Sequence, residues 1–541
     1  MGAVGVVVGM IAGFGLAHLL IGTVAETISS LYLLIRVREI TLTPGMLAIT
    51  ATLGMASVIA AAWLPARAGA RMDPVRSLTQ NAAIEESEEV SPAWFWCGLA
   101  GLGLAGVCGY LSLTTGPPWL GFGAAFFVLT GFSLMVPAAI ARFSSFFCQL
   151  SRSSRVTARN IWSNLAAANL SRALIRNSVT IAALAAAIGM TIGVSVMVFS
   201  FRATVAEWLN ETLLADLFLA PASNETIGPV SFIPPEAIQF LEAQPGVSAV
   251  DTFRALNLPM GEETVALAVI RGTERRLFKF VRGDAAKIMH RFQTEQCVIV
   301  SESFSRRHRV GDGDSLELPT PHGVRRFPVA GTFYDYTRDQ GVIYLSTAIF
   351  VRLWQDDRVH SLAVYLNEDG RGDSVVAKFR ERFSDRAFAI YKNADLRSRA
   401  FTIFDQTFAV TYVLRVITVV VAIVGIFLSL NILITERSRE LGILRAIGAG
   451  AGQIRRLLLW ESGMIGLLAG IVGLASGVSL AFVLTGVVNR AFFGWTIQLA
   501  FPWASLAITP LWVVIVALLS GLFPAWRAGN LILADALRST E

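Results

Sequence analysis

Apolar and polar positions fall along this chain in long blocks. Charge-free runs cover 2–25, 41–66, 90–141, 177–201, 416–435, 462–489 and 491–526. A helix needs about 20 consecutive apolar residues to cross the roughly 30 Å hydrocarbon core of a bilayer. Each run meets that length, and 90–141 suffices for two spans with "TTGPP" (114–118) as the turn between them. The pattern predicts eight spanning helices. No basic stretch precedes the first run, so it reads as a helix of the mature chain and not as a secretory leader. Between the fifth and sixth spans the pattern changes to short runs. "VALAVIRG" (265–272), "QCVIVSE" (296–302), "DSLELPT" (314–320), "RRFPVAGTF" (325–333), "GVIYLS" (341–346) and "SLAVYL" (361–366) read as strands. "PPEAIQFLEAQPGV" (234–247) and "SVVAKFRERF" (374–383) read as amphipathic helices. The expected fold class is a polytopic α-helical membrane protein with about eight transmembrane helices and one large α/β extracytoplasmic domain at 203–407.

Composition agrees with this pattern. Of 541 residues, 54% are apolar and 16% charged, and the mean hydropathy of +0.59 is too high for a soluble multidomain protein. Charge supplies the orientation. The short loops 65–92, 143–176, 435–458 and 525–541 hold fifteen arginines, whereas the opposite short loops hold only Arg36, Arg38 and Arg490. The positive-inside rule then places the first set and both termini in the cytoplasm and 203–407 outside. The net charge of +6 follows the membrane-flanking arginines and gives no reason to expect nucleic acid as a partner.

Candidate chemistry is sparse. Cys97, Cys108, Cys148 and Cys297 form no recognisable staple or ligand set. His290, His308, His322 and His360 lack metal spacing and are expected at the surface. "GDGD" (311–314) reads as a turn, because Gly323 stands where a calcium loop needs its closing glutamate. No Ser-His-Asp or Cys-His set assembles, and no G-x-x-x-x-G-K-[ST] occurs. The expectation is a non-catalytic chain with no cofactor and no metal, unable to hold ATP through a P-loop of its own.

The two ends repeat each other. "GAVGVVVGMIAGFGLAHLL" (2–20) aligns with "GLLAGIVGLASGVSLAFVL" (466–484), and "AIT…LPARAG" (48–69) with "AIT…FPAWRAG" (507–529). The Gly-x-x-x-Gly pairs Gly9/Gly13, Gly473/Gly477 and, in another span, Gly189/Gly193 predict closely packed helices. In the second copy a helix, the outer domain, another helix and a charged segment precede Gly466, and Met1 falls where Ile465 falls. The chain therefore reads as one complete module and the back half of another, joined by two linker helices.

One segment breaks the apolar half of the second module, "ERSRELGILRAIGAGAGQIRR" (436–456). It reads as a cytoplasmic extension of one spanning helix, a short helix, and a glycine break that returns the chain to the bilayer. Leu441, Leu444 and Ile447 recur at intervals of three as an apolar stripe, with Glu436/Arg439 and Arg437/Glu440 as i,i+3 pairs on the wet side. A dinucleotide fingerprint would need a βαβ unit around the glycines, and here apolar helices flank them. A stripe of this kind facing the cytosol calls for a protein partner.

The string from Glu436 and Arg437 through Glu440, Leu441, Gly442, Leu444, Arg445, Ile447 and Gly448 resembles the signature of FtsX-like permeases, the membrane subunits of ABC systems of the macrolide-exporter and lipoprotein-releasing types. "PAWRAG…ADALR" (524–538), "PARAG…DPVRSL" (65–78) and "ADLFLAPAS" (215–223) resemble other parts of the same family. The likeness covers nearly all of 1–80 and 160–541, and the plan is similar to the ten-helix members. The resemblance implies the following domains: 1–78 as the back half of a first module; 79–142 as an acidic linker with two linker helices; 143–202 as a basic segment and the first helix of the second module; 203–407 as the extracytoplasmic domain; and 408–541 as the permease domain.

It also implies a function, export or extraction of a hydrophobic or lipid-linked substrate across a bacterial inner membrane. A separate ABC-type ATPase would be docked at 436–456, and a second permease chain would supply the missing half-module. The alternative within the same fold is mechanotransmission, signalling to an extracytoplasmic partner or sensing a peptide without moving cargo. Either output asks the partner to shift a two-state membrane element, which takes about 5.5 kcal/mol of differential binding to move from 1:99 to 99:1.

Overall fold

The computed structural model describes residues 2–31, 43–70, 92–115, 117–153, 161–172, 174–224, 228–260, 263–271, 278–367, 372–408, 410–436 and 438–530. The first apolar runs form α1 (Gly2–Leu31), α2 (Pro44–Ala70), α3 (Ala93–Thr115) and α4 (Trp119–Ser153). A short α5 (Ile161–Arg172) leads into α6 (Leu174–Thr212). With 39 residues, α6 is about 58 Å long, almost twice the hydrocarbon thickness, so one end projects well beyond a bilayer.

Next comes the α/β domain. Its elements are β1 (Leu217–Pro221), α7 (Pro235–Glu242), β2 (Val247–Met260), β3 (Glu263–Ile270), α8 (Ala285–Thr294), β4 (Val298–Ser301), α9 (Glu302–His308), β5 (Ser315–Thr320), β6 (Gly323–Phe333), β7 (Val342–Ser346), α10 (Thr347–Trp354), β8 (Ser361–Leu366), α11 (Gly372–Arg382) and β9 (Phe388–Lys392). α12 (Asn393–Thr407) returns the chain to the bundle. There it continues as α13 (Val410–Glu436), α14 (Ser438–Ala446), α15 (Ala451–Val483), a π-helical turn (Leu484–Val488), α16 (Asn489–Phe493) and α17 (Trp503–Gly529).

Among the described residues, five segments are long and apolar enough to cross a membrane: Ala93–Thr114, Trp119–Gln149, Leu174–Thr212, Ala451–Phe493 and Trp503–Gly529. The other three expected spans coincide with α1, α2 and α13, whose described apolar parts, Gly2–Gly15, Pro44–Ile59 and Val416–Ile432, are shorter. Their outward faces are greasy, as with Val8, Leu53 and Val420, which is what a helix in hydrocarbon presents. The bundle core joins α4, α5, α6, α13, α15 and α17 through residues such as Ile140, Leu170, Ile181, Ile426, Ile454 and Ala525. The molecule is a polytopic helical membrane protein carrying a sheet domain.

That sheet has nine strands in the order β5-β6-β4-β7-β3-β2-β8-β1-β9. It is mixed, since β3–β7 and β4–β6 are parallel and the other pairs antiparallel. Apolar runs such as "VIVS" and "VIYLS" are buried along their whole length, because helices or loops cover both faces of the central strands. Leu267, Val300 and Ile343 face Phe304 and Phe350 on one side, while Ala268, Ile299 and Tyr344 face Phe292 on the other. The six expected strands are present.

The expected helix 234–247 stops at Glu242, because Gly246 takes φ 102° in the Pro-Gly turn and Val247 already starts β2. β1, β2 and β9 were not expected, nor were α8, α9, α10 and α12. His360, expected at the surface, is 5% exposed. Its ring stacks on Phe232 at 4.7 Å between centroids, and its Nδ1 accepts from the Ala255 amide at 3.1 Å. That covered site lies beside β8, where the backbone of His360 also donates to Phe253.

Candidate coupling site

The charged segment is a helical hairpin at one end of the bundle. α14 follows α13 after a single intervening position and closes in a Schellman motif. The Gly448 amide donates to Arg445 O at 3.1 Å and the Ala449 amide to Leu444 O at 2.9 Å, with Gly448 at φ 106°. Gly450 then opens α15, its amide donating to Gln453 Oε1 at 2.8 Å. The "GAGAG" stretch is therefore a cap followed by a start, and only glycine suits position 448 without strain.

Burial revises the expected stripe. Leu441 is 5% exposed and belongs to the bundle core, and Leu444 packs against that core. Ile447 is 77% exposed, and Ile443, one turn before it, is 48% exposed. The stripe through Leu441, Leu444 and Ile447 is thus split, because a helix turn of 3.6 residues carries an i,i+3,i+6 series around the axis. Leu441 and Leu444 hold α14 down, and Ile443 with Ile447 form the outward apolar pair. Gly442 is buried, Arg445 half-buried and Glu440 exposed. The side chains of Glu436, Arg437 and Arg439, and hence the expected ion pairs, lie outside the described residues.

The hairpin is braced from below. A Cβ on Gly529, at the end of α17, would lie 3.1 Å from Ala451 O, so the two backbones nearly touch there. Arg455 donates to Asn530 Oδ1 at 2.9 Å. α5 lies alongside, its Asn169 donating to Glu461 Oε1 of α15 at 2.6 Å. Glu461 is 3% exposed, an ionisable group retained inside the bundle where each such group is costly.

From this hairpin α15 runs back along α6. Here four of the expected packing glycines meet. A Cβ on Gly477 would sit 2.6 Å from Ile192 Cβ and 2.9 Å from Gly189 O; on Gly473 it would sit 2.8 Å from Ile188 Cβ; on Gly193, 2.7 Å from the Leu480 side chain. Gly9 and Gly13 behave differently. A Cβ on either meets nothing within 4 Å, so the matched glycines of the first copy make no close helix contact among the described residues. α1 instead meets α2 elsewhere, with Val6 against Gly54.

At the far end the segment between α16 and α17 ties the bundle to the sheet domain. Glu302, 4% exposed, accepts from the Thr496 amide at 3.0 Å and the Thr496 hydroxyl at 2.6 Å, and Arg306 donates to it at 2.8 Å. Tyr336 Oη donates to Thr496 O at 2.8 Å. Burial, then the nearby Glu302 charge, push that phenol well above its usual range, which keeps it a donor. The same segment runs along α6. The Gln498 amide donates to Thr204 Oγ1 at 3.0 Å and the Ala500 amide to Ser200 Oγ at 3.1 Å. Two hydroxyls one turn apart thus satisfy an extended backbone that has no strand partner. α6 and α12 are linked by Arg202–Asp405 at 3.0 Å and by Arg397 on Asn210 at 2.7 Å.

None of these arrangements is a catalytic set, and no metal-binding group of His, Cys, Asp or Glu occurs among the described residues. "GDGD" is a turn closed by the Gly311 amide on Asp314 Oδ2 at 2.7 Å. What the geometry does provide is a continuous chain of contacts. It runs from an exposed apolar pair, through a glycine-tight helix crossing, to a hydrogen-bonded junction with the sheet.

The class is then a membrane-embedded helical bundle linked at opposite ends to a short hairpin and a mixed sheet. Residues 412–531 match the family described as FtsX-like permease C-terminal. Over 99% of its length the chain is 31% identical to an uncharacterized ABC transporter permease protein of Mycobacterium tuberculosis, and it spans 63% of that relative. Over 44% of its length it is 26% identical to the macrolide export ATP-binding/permease protein MacB of Chromobacterium violaceum, covering 38% of it. The periplasmic region of MacB from Actinobacillus actinomycetemcomitans aligns with 36% of the chain at 14% identity, covering 95% of that structure, with a TM-score of 0.28. The chain is thus similar to proteins named as ABC transporter permeases, and residues 412–531 match the C-terminal model of FtsX-like permeases.

Proposed function

We propose that this chain is the membrane subunit of an ABC exporter, driven by a separate ATPase that grips α14 through Ile443 and Ile447. The observation that carries the reading is the split face of α14. Leu441 and Leu444 fix the helix to the bundle while two large apolar side chains one turn apart stay in the open. A partner that covers them gains apolar burial, and the capped hairpin passes its movement to α13 and α15 as a rigid unit. The bundle-to-sheet junction at Glu302 and Thr496 carries that movement to the sheet domain, which stands outside the cell while both termini lie inside. The arginine distribution supports this orientation, and the printed name of the Chromobacterium relative joins ATP binding to a permease. The cargo is hydrophobic or lipid-linked, as the resemblance to FtsX-like permeases implies.

The test is reconstitution of the chain with its ATPase in liposomes. ATP-dependent appearance of an amphiphilic cargo on the opposite side is expected. ATP hydrolysis stimulated by the chain with no cargo crossing would replace export with signalling.

A further inference from the structure

A cavity of about 340 Å³ lies inside the bundle between α6, α13 and α17. On α17 its walls run from Pro502 to Val516, a depth of about 21 Å at 1.5 Å per residue. It is therefore long and narrow. Its two ends differ. Near the Pro502 end are the hydroxyls of Ser195 and Ser505, which make no hydrogen bond to another described residue. Midway, the hydroxyls of Thr191 and Thr509 are taken up by helix carbonyls, Ala187 O at 3.0 Å and Ser505 O at 2.7 Å. Ile188, Ala422, Val513 and Val516 make the deep end wholly apolar. Three of its lining residues, Val419, Ile508 and Trp512, are 43%, 48% and 61% exposed on apolar helices, so the cavity reaches the lateral surface of the bundle there.

We propose that this cavity holds one acyl chain of a phospholipid drawn from the surrounding leaflet. Three features select that occupant. The opening gives onto hydrocarbon and not onto water, so a ligand enters from the bilayer. The volume lies at the low end for ligand pockets and is spread over a long axis, which fits a single extended chain and leaves out bulky ring systems. The free hydroxyls sit at one end only, where they can donate to the ester or phosphate oxygens of a headgroup while the apolar end takes the tail. The chain would lie against α13, the helix that leads into α14, so its presence sets the spacing of α13 from α6 and α17. The inference requires a membrane but no ATPase, so its failure would leave the proposed export role standing.

The test uses the full chain in vesicles of phosphatidylethanolamine and phosphatidylglycerol, doped with a phospholipid bearing a diazirine in its acyl chain, with photoadducts mapped by mass spectrometry. Ile188, Ala422 and Leu506 are 2%, 5% and 7% exposed, so bulk lipid does not reach them. Label on these walls is expected. It should fall at least fivefold in Val516→Trp, which fills the deep end, and in Ser505→Phe, which closes the outer end. Label at Val107 of α3, 54% exposed, should stay constant in both variants and reports that they fold. Label confined to exposed residues, or wall label unchanged in both variants, would overturn the assignment. So would unlabelled walls together with a copy-to-copy disulfide from Ile508→Cys, which would give the cleft to a second copy of the chain.

Discussion

Gly477 and its counterpart Gly13 occupy matched positions in the repeated helix, yet substitution should affect them in opposite ways. A Cβ on Gly477 would approach Ile192 Cβ to 2.6 Å, Ile192 Cγ2 to 2.8 Å and Gly189 O to 2.9 Å. Apolar carbons rest at roughly 3.5–4.0 Å, so the newcomer needs about 1 Å more space. The obstructing atoms are a backbone oxygen and a β-branched stem, neither of which can swing aside. α6 and α15 must therefore separate, and a gap of about 0.5–1 Å already forfeits a quarter to a half of each van der Waals contact along the crossing. Overpacking of this kind costs about 1–3 kcal/mol, and Gly477→Ala should lower stability by that amount. Gly13→Ala meets nothing within 4 Å and should gain up to about 1 kcal/mol from helix propensity. The assay is thermal unfolding of the purified protein in one detergent, followed by thiol-reactive dye and by size exclusion. Equal midpoints for Gly477→Ala and Gly13→Ala would refute the reasoning, because the sequence context is shared and only the neighbour differs.

Other perturbations address the junction and the sheet. Glu302→Gln removes the charge that Thr496 and Arg306 bind, and such charge-assisted bonds contribute about 1.5–3 kcal/mol; amide exchange around 494–500 should accelerate while the core of β4 and β7 stays protected, and unchanged exchange would count against the latch. His360 is held below its usual range by burial first and then by Arg254 and Arg358. Its protonation therefore favours the unfolded chain, and the sheet domain should lose stability as pH falls below about 6.5. Asp356, lowered chiefly by its hydrogen bonds to Arg358 and Arg254, contributes stability that persists to lower pH and disappears as its carboxylate is protonated. Replacing the ring by His360→Phe should flatten the decline between about pH 7 and pH 5 without altering the steeper acid limb, and an unchanged slope in differential scanning calorimetry would contradict this account.

The helices were legible because hydrocarbon requires an uninterrupted apolar run, and each run contains a long helix. The last run, 491–526, hid the extended segment 494–502 between α16 and α17, which is as apolar as the helices beside it. The central strands were legible for a similar reason, since β4 and β7 are buried on both faces and carry no polar residue before their closing serines. β2 escaped notice because Asp251, Thr252 and Arg254 sit inside it and are buried there, paired by long-range contacts such as Arg254 with Asp356. Local pattern has no access to a partner a hundred residues away. The charged segment folds as the short helix and glycine break expected of it, but Leu441 and Leu444 of its stripe pack on the bundle while Ile443 and Ile447 face outward. Leu441 looks as available as Ile447 in sequence, and only the packing of α14 on the bundle separates them. The glycine pairs were read from recurrence, which marks a capacity for close approach. Whether that capacity is used depends on which helix lies opposite, as Gly477 and Gly13 illustrate. The latch at Glu302 had a weak signal, a strand ending in Ser-Glu-Ser, and nothing to link it to Thr496.

The most direct measurement of the coupling claim is the affinity of the purified chain, in lipid nanodiscs, for the ABC-type ATPase proposed as its partner, before and after Ile447→Asp. Ile447 is 77% exposed, and burying a side chain of this size contributes about 1.5–3 kcal/mol. Removing that term and placing a carboxylate in the contact predicts a dissociation constant at least about tenfold weaker, with the unfolding midpoint unchanged because no core contact is lost. An affinity equal to that of the unaltered chain would show that the partner does not sit on α14, and the proposed mechanical path would lose its starting point.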